Sequence, residues 1–285
     1  MNSLQRYSYQ ATLVGFCLAA ATGAYAQVGS INSVTIAHVF NDMPGATVTP
    51  NNSFPGSVSL GESGVTRVAS GGLNRDVWYF SNNGGSSAYQ FQNNDYFNAS
   101  FTLTLTGSGT SGIDLEAGWL FSNPSGGFGG DLQSILIGGN GAVVQFGGPS
   151  YYPFSPAAGG YPGSGGSVAN YALGQTYTMG LNYVLDPNTG NNAFEYSVNG
   201  QFATSSPGDP YFDLGAGVGA GSIGGNPLGG YLQIGNDPNN ANNYGSAIFG
   251  DISITTPAPE PSTFALVSMG IVAIGGGLVS RRNRV

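Results

Sequence analysis

Strict alternation of apolar and polar residues is the feature that most constrains the fold of this chain. In the stretch YFNASFTLTLTG, apolar residues occupy every second position from Phe97 to Leu105, and asparagine, serine or threonine fills the positions between them. A period of two residues places the two sets of side chains on opposite faces of a β-strand. The stretch therefore predicts a strand with one buried face and one hydroxyl-rich face in water.

The same period recurs later in the chain. It is present in residues 177–185 and near residue 250, where Ile248, Ile252 and Ile254 share one parity. Helical spacing of useful length occurs only in the two terminal segments. Many strands without crossover helices predict an all-β fold, an antiparallel β-sandwich or jelly roll flanked by an N-terminal signal helix and a C-terminal transmembrane helix.

Turn signals lie between the alternating stretches. The pair Asn199 and Gly200 separates two apolar-alternating runs, which is typical of a two-residue hairpin. The stretch ILIGGNGAVVQF indicates a second hairpin with its turn at residues 138–141. The aromatic and glycine-rich tract 147–167 is interpreted as a long surface loop, so that residues 27–256 form one domain.

Composition and charge narrow the function classes. The chain has 285 residues with 49 glycines and 16 prolines, but its 16 Phe, 16 Tyr and 2 Trp are enough to bury a core. It has no lysine, and between positions 27 and 256 only Arg67 and Arg75 oppose 13 acidic residues, a net charge of −11. Such a surface repels phosphate backbones, which excludes nucleic acid as a partner.

The N-terminus has the organisation of an export signal. Residues 1–26 contain a short polar start, the apolar run ATLVGFCLAAA, and small residues at Ala24 and Ala26 where signal peptidase requires them. We expect cleavage after Ala26. The single cysteine, Cys17, lies in the apolar run and leaves with it, so the mature chain has no thiol.

The C-terminus combines an apolar segment with a basic end. The 16 residues from Phe264 to Val279 would reach ~24 Å as a helix, slightly short of a bilayer core. Positive charge beside a membrane segment stays in the cytoplasm, which leaves the body of the chain outside. This basic cluster consists of Arg281, Arg282 and Arg284.

Residues 257–285 resemble the PEP-CTERM sorting signal of Gram-negative bacteria that make exopolysaccharide. The resemblance rests on the motif PEPST, the apolar span after it and the terminal RRNR. It implies that an exosortase in the inner membrane recognises Pro259, Glu260 and Pro261 and cuts the tail away. The implied route is export, transient anchoring in the inner membrane, and release to the cell surface or extracellular matrix.

The later half of the body is similar to concanavalin A-like and laminin-G-like jelly rolls. The similar stretches are YTMGLNYVLDPNTGNNAFEYSVNG and, after some thirty residues, LQIGNDPNNANNYGSAIFGDISI. The resemblance implies a sandwich fold. Some members of that superfold bind glycans and others cleave them, so the fold alone implies neither activity.

Candidate catalytic residues are few. His38 is the one histidine, and it is in phase with Val34 and Ile36, which is typical of a histidine in or at the edge of a strand. Asp114 and Glu116 are two residues apart, so they share a strand face at roughly 6 to 7 Å, a separation that glycosidase carboxylates use. A solvated strand face is the alternative interpretation. The sequence assigns no catalytic residues.

One loop offers oxygen ligands for a cation. The stretch NDPNNANN contains Asp237, Asn239 and Asn240, whose oxygens could hold calcium. The same residue types form tight turns, so ordinary turn chemistry is the alternative, and no cofactor is required.

Three hypotheses follow, from different classes of protein. The first is a non-catalytic β-sandwich released among exopolysaccharide. The second is a lectin-like glycan-binding module, with or without calcium. The third is a carbohydrate-active hydrolase built on Asp114 and Glu116. Because no row of three acids is present, the sequence favours the first two and predicts that the chain is not an enzyme.

Overall fold

The chain folds into two antiparallel sheets in the part that the structure, a computed structural model, describes. The described residues are 28–66, 72–93, 95–108, 115–122, 131–138, 143–147, 150–153, 172–205, 208–213, 223–235 and 243–256. Within them, a seven-stranded and a nine-stranded sheet follow a short 3₁₀ turn at Val28–Ser30.

The strands are numbered in chain order. The seven-stranded sheet contains β1 (Ser33–Asn41), β5 (Leu73–Ser81), β7 (Leu115–Ser122), β8 (Asp131–Gly138), β9 (Val143–Gly147), β10 (Ser150–Pro153) and β15 (Leu228–Gly235). The nine-stranded sheet contains β2 (Thr47–Val48), β3 (Asn51–Ser53), β4 (Ser57–Val65), β6 (Phe97–Gly107), β11 (Thr176–Leu185), β12 (Asn192–Val198), β13 (Gln201–Phe202), β14 (Phe212–Asp213) and β16 (Asn243–Thr255).

Strand neighbours in each sheet come from distant parts of the chain. The seven-stranded order is β1-β5-β15-β7-β8-β9-β10, and the nine-stranded order is β13-β12-β11-β6-β16-β4-β2, with β14 beside β12 and β3 beside β4. This antiparallel, non-sequential pairing confirms the predicted all-β sandwich. The two predicted terminal helices lie outside the described residues. Among the residues that are described, no helix is both long enough and apolar enough to cross a bilayer.

The alternation in the sequence determines which side chains enter the core. In β6, the apolar positions from Phe97 to Leu105 are buried and the hydroxyl and amide positions between them are half-buried or exposed, as predicted. In β11, Met179, Leu181 and Tyr183 are fully buried, whereas Leu185 at the strand end is exposed. The inner faces of both sheets therefore meet in one apolar layer.

Aromatic rings join the two sheets at the centre of this layer. Trp119 of β7 lies 4.1 Å from Phe101 of β6 between ring centroids, and Trp78 of β5 lies 5.5 Å from Phe249 of β16. The Trp119 indole nitrogen also donates a 3.2 Å hydrogen bond to the Met179 carbonyl in the opposite sheet. These contacts fix the spacing of the sheets because each ring fills volume contributed by both.

The hairpin prediction at Asn199 and Gly200 is confirmed. Both residues have positive φ, 51° and 76°, and connect β12 to β13. This is the conformation of a type I′ turn, which matches the twist of the flanking strands. The second predicted hairpin is present as the antiparallel pair β8 and β9, although its turn lies outside the described residues.

Two details differ from the sequence prediction. Ile248 does not share a face with Ile252, because a β-bulge between Gly250 and Ser253, with Asp251 at φ 49°, shifts the parity of β16. Ile248 is consequently 48% exposed, whereas Ile252 is buried. The tract interpreted as a surface loop also contains strand β10, paired with β9.

Close packing around Trp78 requires glycine in the adjacent strand. A Cβ atom added at Gly229 would overlap the Trp78 carbonyl oxygen, and one at Gly230 would lie 2.6 Å from the Trp78 indole nitrogen and 2.7 Å from the Phe249 ring. Backbone atoms of β5 cannot withdraw without breaking the ladder with β15. Gly229 is therefore a packing requirement of the sheet.

We expect Gly229→Ala to destabilise the protein by about 3 kcal/mol or more, because the added methyl group forces β5 and β15 apart. Chemical denaturation of the two proteins measures the difference. Gly56→Ala is the matched control, since its Cβ would lie 3.5 Å from the nearest atom, the Ser53 carbonyl oxygen. The control should change stability by less than about 1 kcal/mol. Equal effects of the two substitutions would contradict the packing argument.

Candidate functional site

Three ionisable side chains meet between the two sheets. His38 projects from β1, Asp76 from β5 and Glu62 from β4, so two strands of the seven-stranded sheet and one strand of the nine-stranded sheet contribute. Each residue occupies a position whose parity points into the sandwich. We call these three residues the cross-sheet cluster.

The ligand atoms of the cross-sheet cluster lie within 4.8 Å of one another. His38 Nδ1 is 2.6 Å from Asp76 Oδ1 and 3.5 Å from Glu62 Oε1. One imidazole nitrogen and two carboxylates form a mixed donor set that could hold a metal ion.

Asparagine fixes one of the carboxylates. The Asn74 side-chain amide donates a 2.9 Å hydrogen bond to Glu62 Oε2 and a 3.1 Å hydrogen bond to the Met43 carbonyl, and its oxygen accepts from the Met43 amide at 3.0 Å. Asn74 therefore anchors Glu62 to the seven-stranded sheet. Because one Glu62 oxygen is committed to Asn74, the other oxygen, Oε1, is the one that faces His38.

Burial within the cluster is uneven. Glu62 and Asp76 are only 3% and 2% exposed, whereas the side chain of His38 is 27% exposed. Glu62 Oε1 and Asp76 Oδ2 are buried and accept no hydrogen bond. Buried carboxylate oxygens without a hydrogen bond are unfavourable. When it is protonated, the His38 imidazole, 3.5 Å away, is an ion-pair partner of Glu62 Oε1.

The surroundings raise the pKa values of Glu62 and His38. Burial raises the pKa of Glu62 to about 7; the Asn74 hydrogen bond lowers it and the Asp76 charge raises it. Burial lowers the pKa of His38, but the hydrogen bond and charge of Asp76 outweigh burial and leave the pKa raised from 6.5. Glu62 and His38 therefore hold their protons more tightly than the same side chains do in water.

A second polar network lies on the outer face of the seven-stranded sheet. Arg75, Gln233 and Glu116 stand opposite one another on β5, β15 and β7. Arg75 Nε donates to Gln233 Oε1 at 2.9 Å, and Gln233 Nε2 donates to Glu116 Oε1 at 2.7 Å. Tyr231 donates a 3.2 Å hydrogen bond to the same Glu116 oxygen.

This network corrects the interpretation of Glu116 as part of a solvated face. Glu116 is 4% exposed, and the neighbouring Arg75 guanidinium lies 5.2 Å from the Tyr231 ring centroid. Gln233 links the Arg75 guanidinium on β5 to the buried Glu116 carboxylate on β7. Asp114, the predicted companion of Glu116, lies outside the described residues.

The outer face of the nine-stranded sheet has a different character, because most of its side chains are uncharged, polar and accessible. A carboxylate also lies on this face, since Glu195 of β12 accepts a 3.0 Å hydrogen bond from the Asn182 side-chain amide. Serine, threonine and asparagine occupy every outward position of β6 from Asn98 to Thr106 and part of the outward positions of β4, β16 and β11. We call the following set the polar face: Ser57, Ser59, Asn98, Ser100, Thr102, Thr104, Thr106, Thr176, Thr178, Asn182, Ser246 and Ser253.

The strand register arranges these groups in rows. Thr104 and Thr176 are directly paired, with their hydroxyl oxygens 2.6 Å apart, and Thr102 is paired with Thr178. Tyr244 and Ile248, at outward positions of β16, are 51% and 48% exposed. The polar face therefore presents regularly spaced hydroxyl groups together with exposed apolar side chains.

The other predicted site residues lie outside the described part of the chain. They are Ala24 and Ala26 of the leader, Asp237, Asn239 and Asn240 of the candidate calcium loop, Pro259, Glu260 and Pro261 of the sorting motif, and Arg281, Arg282 and Arg284 of the basic end. These assignments stay predictions.

Sequence reasoning missed the cross-sheet cluster because its members are far apart in the chain. A usable signal was present in the alternation of the strands. Glu62 lies on the same strand face as the buried Val58 and Leu60, and Asp76 lies on the same face as the buried Trp78 and Phe80. Acidic residues at core-facing positions are rare unless they are paired.

No family model matches the chain, and no curated protein matches it either. Solved structures with a similar arrangement of sheets include the alginate lyase AlgAT5 from polysaccharide lyase family 7, with 11% identity, 79% of this chain and 95% of that chain covered, and a TM-score of 0.45.

Two further solved structures are similar to this chain. The carbohydrate recognition domain of Emp47p has 14% identity, coverage of 77% of this chain and 88% of that chain, and a TM-score of 0.39. The endo-1,3-beta-glucanase from Streptomyces sioyaensis has 12% identity, coverage of 82% and 94%, and a TM-score of 0.42. Identities this low relate folds and assign no activity.

These similarities correct one prediction. The sequence predicted that the chain is not an enzyme, and this prediction has to be dropped, because structures with a similar sandwich include polysaccharide lyases and a glucanase and the fold therefore does not exclude catalysis. The lack of a row of three acids was too narrow a criterion, since it tested a single catalytic arrangement.

The pKa shifts predict a pH-dependent stability in metal-free buffer. The pKa of Glu62 is raised from 4.5 to about 7 in the folded chain. Its contribution to the free energy of unfolding is therefore fully present below pH 4.5 and is lost as the pH rises through 7. The raised pKa of His38 acts in the same direction. The free energy of unfolding of the wild-type chain should decrease between about pH 5 and pH 8. We expect this decrease to be smaller in Glu62→Gln by roughly 1 to 3 kcal/mol, measured by urea denaturation in buffer with EDTA.

Asp251→Asn is the control for this measurement, because it removes an exposed carboxyl group from β16 and not from the cluster. The free energy of unfolding of this control should depend on pH as that of the wild-type chain does. If Glu62→Gln also shows this pH dependence, Glu62 does not titrate in this range and the pKa argument fails.

Proposed function

We propose that this chain is an exported protein whose β-sandwich binds uncharged exopolysaccharide through the polar face. The observation that carries the proposal is the row arrangement of hydroxyl and amide groups on β4, β16, β6 and β11, which are accessible on a rigid sheet. Each hydroxyl group can donate and accept a hydrogen bond, as sugar hydroxyl groups do.

The charge of the protein selects the kind of polysaccharide. Residues 27–256 have a net charge of −11, and among the described residues no lysine or arginine projects from the polar face. A polyuronate chain would be repelled by this surface, whereas a neutral glycan would not. Uncharged exopolysaccharide is therefore the favoured ligand.

Exposed apolar side chains supply the second element of glycan recognition. Tyr244 and Ile248 lie on the same outer face as the threonine rows, and each is about half exposed. An aromatic ring can pack against the apolar side of a sugar while hydroxyl groups bind its edges. The combination favours a ligand that lies flat across several strands.

The sorting route is the other part of the proposal. Residues 1–26 direct export, and residues 257–285 hold the body at the inner membrane until an exosortase cuts near Pro259, Glu260 and Pro261. The support is the order of leader, Pro-Glu-Pro motif, apolar span and basic end. Release in this way delivers the polar face to the exopolysaccharide outside the cell.

Isosteric removal of hydroxyl groups tests the binding proposal. The triple variant Thr102→Val, Thr104→Val and Thr106→Val keeps side-chain shape and strand propensity. We expect the full-length chain to bind a soluble neutral glucan saturably in affinity electrophoresis and to prefer it to alginate. The triple variant should bind at least about fivefold more weakly, because three hydrogen-bonding groups are lost.

Thr35→Val, on the outer face of the other sheet, is the control and should bind like the wild-type chain. Equal binding by the triple variant, a preference for alginate, or concentration-dependent dimerisation through this face would each contradict the proposal. Repeating the assay with and without calcium tests the separate prediction for Asp237, Asn239 and Asn240.

A second experiment tests sorting independently of binding. We expect Glu260→Ala to leave a longer, membrane-bound form in the producing cells, because the exosortase motif is altered while the apolar span remains. Immunoblots of membrane and medium fractions measure the two forms, and Ser262→Ala is the control. Normal-length protein in the medium from Glu260→Ala would contradict exosortase processing.

A further inference from the structure

We propose that the cross-sheet cluster of His38, Glu62 and Asp76 binds one divalent transition-metal ion, of the zinc or manganese type, between the two sheets. The proposal is independent of the proposed function, because the cluster lies inside the sandwich and not on the polar face.

The two unpaired carboxylate oxygens are the first argument. Glu62 Oε1 and Asp76 Oδ2 belong to side chains that are at least 97% buried, and neither accepts a hydrogen bond. Both residues project toward the same imidazole. A cation bound there would contact both oxygens at once, whereas the His38 imidazole reaches only one of them, Glu62 Oε1, at 3.5 Å.

Distances within the cluster are the second argument. Ligand atoms around a tetrahedral zinc ion are about 3.3 Å apart when the metal–ligand bonds are near 2.0 Å. His38 Nδ1 and Glu62 Oε1 are 3.5 Å apart. The shorter separation of 2.6 Å between His38 Nδ1 and Asp76 Oδ1 is a hydrogen bond that ligation would replace.

Charge balance is the third argument. In the deprotonated form that binds a metal, two carboxylates and a neutral imidazole carry a charge of −2, which a divalent cation neutralises in the buried space. The nitrogen ligand and the small number of protein ligands favour zinc or manganese over calcium, which takes six to eight oxygen ligands, and over magnesium, which prefers an octahedron of oxygens.

The exposure of His38 provides a route for the ion. Its side chain is 27% exposed, whereas the carboxylates behind it are buried. The metal can therefore enter beside the imidazole and lose its water as it reaches Glu62 and Asp76. Bound there, it cross-links β1 and β5 of one sheet to β4 of the other.

Metal titration of the full-length chain tests the proposal. After EDTA treatment and dialysis, calorimetric titration with Zn²⁺ at neutral pH should show a saturable site with one ion per chain. Titration with Ca²⁺ or Mg²⁺ should show no binding at these residues. Co²⁺ should bind the same site and give visible absorption bands. At a Zn²⁺ concentration 100-fold above the dissociation constant, the melting temperature should rise by about 5 to 10 °C.

Variants assign the site to these residues. We expect His38→Gln and Asp76→Asn each to weaken Zn²⁺ binding by about 100-fold or more, and to remove the Co²⁺ bands, because one of three protein ligands is lost. Asp251→Asn, in the exposed bulge of β16, is the matched control and should bind like the wild-type chain.

Asp76→Asn replaces a buried carboxylate and could prevent folding. His38→Gln then still tests the proposal, because His38 is partly exposed and its substitution disturbs the core less. Unchanged stoichiometry and affinity in His38→Gln would place the metal elsewhere and overturn the proposal. Absence of Zn²⁺ and Co²⁺ binding to the wild-type chain would also overturn it and leave the cluster as a proton-sharing group.

Discussion

The contact of aromatic rings between the two sheets is the interaction on which the rest of this structure depends. Trp78 and Trp119 from one sheet and Phe101 and Phe249 from the other form a continuous group of ring contacts between 4.1 and 6.1 Å. Their volume sets the distance between the sheets, and glycine at position 230 is needed because Trp78 fills the space that a side chain would occupy. Displacing Trp78 would therefore disturb both sheets.

The polar end of the sandwich follows from where this aromatic layer stops. Along β5 the core-facing positions pass from Phe80 and Trp78 to Asp76 and Asn74, and the sheet opposite supplies Glu62. Charged groups at such positions are favourable only when a partner compensates for their desolvation. Asn74 and His38 provide part of that compensation. It is incomplete, because Glu62 Oε1 and Asp76 Oδ2 accept no hydrogen bond.

How much of this could be predicted from sequence depended on how local the determining contacts are. Alternation in β6 and the Asn199-Gly200 turn are local, because strand period and turn conformation are written in adjacent residues, and both predictions are confirmed. The bulge near Asp251 was not predictable, since the unpaired residue is fixed by its partners in β6 and β4. Predicting the cross-sheet cluster would have required knowledge of which strands face each other, although acidic residues at core-facing positions pointed to it.

The strand β4 connects the polar face to the cross-sheet cluster, because its alternate residues face opposite environments. Glu62 points into the sandwich toward His38, while Ser57 and Ser59 point outward onto the polar face. An ion bound at Glu62 would hold β4 against the other sheet, but the threonine rows on β6 and β11 are supported by the aromatic layer and not by the cluster. Removing the metal should therefore loosen the β4 edge more than the centre of the polar face, so that cation binding and glycan binding are coupled only weakly.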